Sequence, residues 1–150
     1  MAEQRTDQYI LFTVAGTTYA LPSHQVAHVE MVEQITRVPN APAYVDGVVF
    51  SRGQVVPAVN LRARFGFERA AHDLRTRMLV VQSGGRTIGL LADECREFLS
   101  IPPASIQAPG EGLSGVGARY ISGIASLGDR LIVILDLGAL VDSAEPILAA

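Results

Sequence analysis

Apolar positions along this chain come in short runs broken by glycine-bearing steps, and that pattern predicts strands rather than helices. Tyr9-Ile-Leu-Phe-Thr-Val14 is rich in β-branched and aromatic residues, Ala15-Gly16-Thr17 turns, and Thr18-Tyr-Ala-Leu21 resumes, which reads as a hairpin. Met78-Leu-Val-Val-Gln82, Ser83-Gly84-Gly85 and Thr87-Ile-Gly-Leu-Leu91 read the same way. A third strand is expected after each hairpin, at Ala27–Val32 and Arg96–Ile101, the second stopped by Pro102-Pro103, which lack ladder donors. Val48–Phe50 and Val55–Val59 flank Ser51-Arg52-Gly53, and Pro57 marks a strand edge or bulge. Ile124–Leu127 and Leu131–Leu135 flank Gly128-Asp129-Arg130. Helix is sparse, with about one turn each at Leu61–Phe65 and Leu137–Val141.

These elements occur twice. Tyr44, Gly47, Asn60 and Leu61 match Tyr120, Gly123, Asp136 and Leu137 at an offset of 76 residues. Ile10, Phe12, Gly16, Thr18 and Leu21 match Leu79, Val81, Gly85, Thr87 and Leu90 at an offset of 69. Two copies are too few for a solenoid, so one domain with internal pseudo-twofold symmetry is expected. About five strands per copy are enough to curl into a small barrel. The fold class is therefore mainly β, with subdomain one at about 9–65, a linker at about 66–76 and subdomain two at about 77–141. A strand or helix exchanged between the two is compatible with this division. The Gly-rich insert Ala108–Ala118 has no counterpart in the first copy.

Composition narrows the function classes. A chain of 150 residues with 49% hydrophobic and 18% charged residues suits one globular domain. A net charge of −3 argues against nucleic acid as a partner. No apolar run is long enough for direct membrane insertion, and the first residues lack an apolar signal core. The lone Cys95 fits a reducing, cytoplasmic setting. All 12 basic residues are arginine, a bias that base composition explains.

No constellation stands out as catalytic or metal-binding. Gly110-Glu-Gly112-Leu-Ser-Gly115 matches a dinucleotide fingerprint but lacks the strand before and helix after that would hold a pyrophosphate. His24 and His28 are four apart, a zinc spacing only on a helix, and this region reads as strand. Asp93, Glu94 and Glu97 cluster without a nucleophile nearby in sequence. The arginines around the linker belong either to a solvated connector or to a docking surface for an acidic partner. Arg52 is the only charge between Asp46 and Arg62. It is either an exposed hairpin arginine or an anchor for a partner.

The stretch from Ile35 to Arg62 carries I-T-x-x-P, then P-x-x-x-x-G-V, then R-G-x-x-x-P-x-x-N-L-R. With Ile88-Gly89-Leu90-Leu91-Ala-Asp93 and Tyr120-Ile121-x-Gly123-Ile124, it resembles the CheW-like family, the coupling adaptors of bacterial chemosensory systems, over residues 8 to 141. The resemblance implies two small five-stranded β-barrels, no catalysis, no cofactor and no metal. It implies a scaffold between chemoreceptor tips and the regulatory domain of a CheA-type histidine kinase. Carried onto this chain, the receptor groove would draw on Val26, Val29, Val48, Arg52, Gly53, Ile88 and Leu90. The kinase-facing surface would include His28, Glu30, Ile35, Arg37 and Val38. The chain departs from the family pattern at His28, where a glutamate is common, and at Phe50-Ser51, where Asn-Leu is common. Those departures keep open an adaptor of a pilus or gliding system, and one that sequesters partners without activating a kinase. A small-molecule-binding or enzymatic barrel is the remaining alternative, and it would need polar groups converging near Asp93 and Glu97.

Overall fold

Hairpins and their turns set the frame of the structure, a computed structural model that describes residues 7–109 and 119–141. Strands β1 (Asp7–Val14) and β2 (Thr17–Pro22) form the first hairpin, and β6 (Arg77–Ser83) and β7 (Arg86–Ala92) its repeat mate. Each is followed by an outer strand, β3 (Val26–Met31) or β8 (Glu94–Ile101). The closing hairpins are β4 (Val45–Ser51) with β5 (Gln54–Asn60), and β10 (Ile121–Leu127) with β11 (Arg130–Leu135). A two-residue strand, β9 (Ile106–Gln107), precedes β10, and one-turn helices α1 (Leu61–Arg64) and α2 (Leu137–Val141) end the copies. The strands and helical turns read from the sequence are all present. The sequence adds no expectation for β9. The motif Gly110–Gly115 lies outside the described residues.

Two sheets result, in the orders β8-β1-β2-β11-β10-β9 and β3-β6-β7-β5-β4. Each opening hairpin thus lies in the sheet closed by the other copy's last two strands. The joints are parallel pairs, Ile134 with Ala20 and Ala58 with Gly89, which occupy matching repeat positions. Bulges match too: the register shifts between Val45 and Gly47 in β4, and between Ile121 and Gly123 in β10. Pro57 pairs with Val48 one residue before the ladder with β7 begins, on a stretch of β5 with one open edge.

Each sheet closes on itself. In the five-stranded sheet, Thr36 bridges Val48, so the chain leaving β3 meets β4 at the opposite edge. In the six-stranded sheet β9 does the same job, pairing Gln107 with Ile124 of β10. Gly47 and Gly123 stand where these closing segments cross. A Cβ on Gly47 would lie 2.2 Å from the Thr36 carbonyl oxygen, and one on Gly123 would lie 2.8 Å from the Ile106 side chain. Both small barrels have their own apolar filling, Leu11, Ala20, Ala125 and Ile132 in one, Val49, Met78, Val80 and Leu91 in the other. A third and larger core lies between them, built from Phe12, Leu21, Leu79, Val81, Ile88 and Leu90 among others. Strands β1, β2, β6 and β7 therefore bury both faces, which explains their unbroken apolar runs.

The repeat matches at the ends of the copies are capping contacts. Asn60 Oδ1 accepts from the Ala63 amide and Asp136 Oδ1 from the Ala139 amide, each 3.1 Å. The amides of the same two residues donate to the Tyr44 and Tyr120 carbonyls, at 2.7 and 2.8 Å.

Asp93 ties the crossing between sheets. Its carboxylate accepts from Arg62 Nε and Nη2 and from the Ala15 amide in the β1–β2 turn, at 2.8–3.1 Å. Burial pushes the Asp93 carboxyl up, but the bonds from Arg62 and Ala15 outweigh it and hold it below the usual carboxylate range. A group depressed in the fold stabilises it above its unfolded value, about 3.9, and that contribution fades as pH falls through the folded value. Denaturant titrations between pH 3 and 7 should show stability dropping below about pH 4, and Asp93→Asn should flatten the drop. Equal slopes in both proteins would assign the acid sensitivity elsewhere.

Candidate functional site

The tip of the β4–β5 hairpin carries the most informative side chain. Ser51 pairs with Gln54, leaving Arg52 and Gly53 as a two-residue turn with φ of +48° and +83°. Positive φ at both central residues is the hairpin turn geometry that favours Asn-Gly or Gly-Gly, so an arginine here carries a conformational cost of about 1 kcal/mol. The β6–β7 turn uses Gly84 and Gly85 at the same geometry. Arg52 is exposed, and its guanidinium makes no hydrogen bond or ion pair among the described residues. A solvent-facing arginine held at positive φ is poorly explained by the needs of the turn.

Ser51 beside it is 4% exposed and completes a polar cluster. Its hydroxyl donates to Glu30 Oε2, and His28 Nε2 lies 2.5 Å from the same oxygen and 3.4 Å from Ser51 Oγ. Burial pushes the Glu30 carboxyl up, but the bonds from Ser51 and His28 and the charges of His28 and Arg52 prevail and keep it low. The cluster sits where β3 meets the end of β4, at the mouth of one barrel. His28 and Ser51, two of the positions where the chain departs from the family pattern, are thus in contact with each other. Phe50, the third, is 73% exposed next to them, and its cross-strand partner Val55 is 64% exposed.

The other sequence candidates distribute unevenly. Val26 and Val29 are half-buried on β3 and pack on the rim of the inter-barrel core, and Val48 is half-buried on β4. Ile88 and Leu90 need correction as groove residues: they are 1% and 0% exposed inside the inter-barrel core. Strand β7 is covered on both faces, so neither side chain can meet a docked partner. Ile35, Arg37 and Val38 line a cleft to which His28 and Glu30 do not contribute. The cleft, of about 550 Å³, is lined also by Asn40, Pro42 and Arg69.

The carboxylates considered for acid–base chemistry do not converge. Asp93 is committed to Arg62, Glu94 lies 3.7 Å from Arg96, and Glu97 lies 3.4 Å from Arg130 on an exposed surface. The cleft beside Asp93, about 260 Å³, includes Glu94, Arg75 and Asp73 but not Glu97. Burial pushes the Cys95 thiol up, consistent with a packed rather than reactive cysteine. No group of three potential metal ligands occurs among the described residues, nor any helix long and apolar enough to cross a membrane. The linker docks back on the first copy, with Arg69 Nε and Nη2 at 3.0 and 2.9 Å from Asp46 Oδ1. Sequence reasoning noted Ser51 only as part of a departure from the family pattern, without its bond to Glu30, and passed over Arg64 as one of several arginines around the linker.

Known proteins share this architecture. A family model described as the CheW-like domain matches residues 8–145. The chemotaxis protein CheW of Helicobacter pylori is 34% identical over 128 residues, covering 85% of this chain and 77% of that protein. The chemotaxis protein CheW of Bacillus subtilis is 30% identical over 142 residues, covering 94% and 91%. The crystal structure of the scaffolding protein TtCheW from Thermoanaerobacter tengcongensis superposes with a TM-score of 0.87 at 26% identity, covering 96% of this chain and 98% of that one.

Proposed function

The chain belongs to the CheW-like domain family, and on that premise we propose that it is a non-catalytic cytoplasmic adaptor coupling chemoreceptors to a CheA-type histidine kinase. It works by binding and geometry, holding both partners and passing receptor state on as a difference in affinity. The observation that carries this reading is Arg52, an exposed cation with no hydrogen bond or ion pair among the described residues, kept at positive φ where glycine or asparagine would fold more easily. The receptor tip meets Arg52 and Gly53 together with Val26, Val29 and Val48. The kinase regulatory domain meets the first barrel through His28, Glu30, Ile35, Arg37 and Val38. Because Ser51 bonds Glu30 and adjoins Arg52, the two surfaces touch at the hairpin.

Calorimetric titration of the full chain with a chemoreceptor tip fragment, and separately with the kinase regulatory domain, tests the proposal. Saturable one-to-one binding of both is expected, with a rise in kinase autophosphorylation when receptor, kinase and this protein are combined. Binding of neither would overturn it. Binding of both with no rise in phosphorylation would make the protein a sequestering adaptor instead.

A further inference from the structure

The two copies disagree most sharply at their short helices. In α1 two half-buried positions carry Arg62 and Arg64, whereas the matching positions of α2 are Gly138 and the buried Leu140. Arg62 is accounted for by Asp93. Arg64 does something else. Its guanidinium carbon lies 4.1 Å from the ring centroid of Tyr44 and 5.0 Å from that of Tyr120. Its Nε donates to the carbonyl of Leu140, 3.1 Å away. Tyr44 and Tyr120 are repeat mates, one leading into β4 of one barrel and the other into β10 of the second. Leu140 is the repeat mate of Arg64 itself.

The arginine therefore stands where the two halves of the pseudo-twofold meet, and a single side chain fills a place that symmetry would offer twice. It is held by two ring faces and a carbonyl, with no carboxylate in contact among the described residues. A planar cation suits that role, since it stacks on both rings while its edge donates. The aromatic contacts continue from it: Phe65 lies 6.0 Å from Tyr120 and 5.1 Å from Tyr19, and Tyr19 lies 6.2 Å from Phe12. Both barrels thus converge on α1. Among the described residues, Tyr44 Oη is buried without a hydrogen-bond partner, so it is the face of this ring, more than its hydroxyl, that the site uses.

We propose that Arg64 is a positioning residue that fixes the orientation of one barrel against the other, and so keeps the adaptor's partner-binding surfaces in register. The first half of this statement rests on geometry alone, and the second on the adaptor reading above.

The test separates the two halves. Nitroxide labels at the exposed turn positions Gln54 and Asp129, one on each barrel, report the inter-barrel distance by pulsed electron resonance in a Cys95→Ser background. Arg64→Ala should broaden the distance distribution, and Arg64→Lys, which keeps the charge but not the planar face, should broaden it less. Ile101→Val, a change inside one barrel's own core, should leave the width unaltered at a comparable loss of stability. In Arg64→Ala each partner should still bind within about twofold of wild type, while receptor-dependent kinase stimulation falls about tenfold. An unaltered distance width in Arg64→Lys and Arg64→Ala would overturn the inference. Broadening in a protein whose wild type binds neither partner would uphold it and sink the adaptor reading.

Discussion

Gly47→Ala should be the most damaging single substitution in the first barrel, with an expected loss of about 3 kcal/mol or more. Two costs add. The glycine sits at φ +149°, a conformation that residues with a Cβ rarely adopt. The new methyl would also meet the carbonyl oxygen of Thr36 at 2.2 Å, and this is backbone held on both sides. Thr36 donates its amide to Val48 at 2.9 Å and accepts from the Val48 amide at 2.8 Å. Relief of the clash therefore requires breaking the bridge that closes the barrel. The repeat mate offers an internal control. At Gly123 an added methyl would meet Ile106 Cγ2 at 2.8 Å and the Gln107 carbonyl oxygen at 3.2 Å, both looser than the contact at Gly47, and the backbone carries no positive-φ penalty. Gly123→Ala should cost about 1–2 kcal/mol. Urea denaturation of both variants checks the ranking, and an equal loss at the two sites would mean that backbone closure at Thr36 is softer than described.

Arg52→Asn should push stability and function in opposite directions. Asparagine tolerates positive φ better than arginine, so the hairpin should gain about 0.5–1 kcal/mol. The same change removes the exposed guanidinium, and affinity for the chemoreceptor tip should fall about tenfold or more. Glu30 also loses a nearby positive charge, so its carboxyl should rise toward the ordinary range, a shift that carbon-detected titration can follow. Thermal melting and calorimetry on one preparation decide the matter. Unchanged receptor affinity would remove Arg52 from the binding surface, and a lower melting point would mean that the turn prefers arginine for reasons of its own.

Most elements of this fold can be read from the chain because each carries a local signal. Strands announce themselves by β-branched runs and the turns by glycines such as Gly16, Gly53 and Gly85, whose φ is positive in the structure, while the helical turns follow the last strand of each copy, where Asn60 and Asp136 prove to cap them. Which hairpin lies in which sheet has no such signal. A repeat states that two segments are alike, and says nothing about which copy of a strand each will pair with; the pairings of Ala20 with Ile134 and Gly89 with Ala58 are long-range contacts. The same limit explains the misplacement of Ile88 and Leu90. An apolar residue in a doubly buried strand and one in an open groove look identical along the chain. Arg52 was legible because it stands alone between apolar strands. Ser51 and Arg64 were not, since what matters about each is a neighbour 21 or 76 residues away.

The crossed hairpins also dictate the order in which the molecule can come into being. During synthesis the five-stranded sheet has all its strands once Ala92 has emerged, whereas β1 and β2 must wait for β11, which ends at Leu135. Closing so long a loop delays folding, and until then Leu11 and Ala20, on the face inside their own barrel, lack Ala125, Ile132 and Ile134 to cover them. The first hairpin of this domain is thus the last to be fully enclosed. Neither half could have been refined by selection in isolation, because every improvement in one barrel had to suit strands contributed by the other.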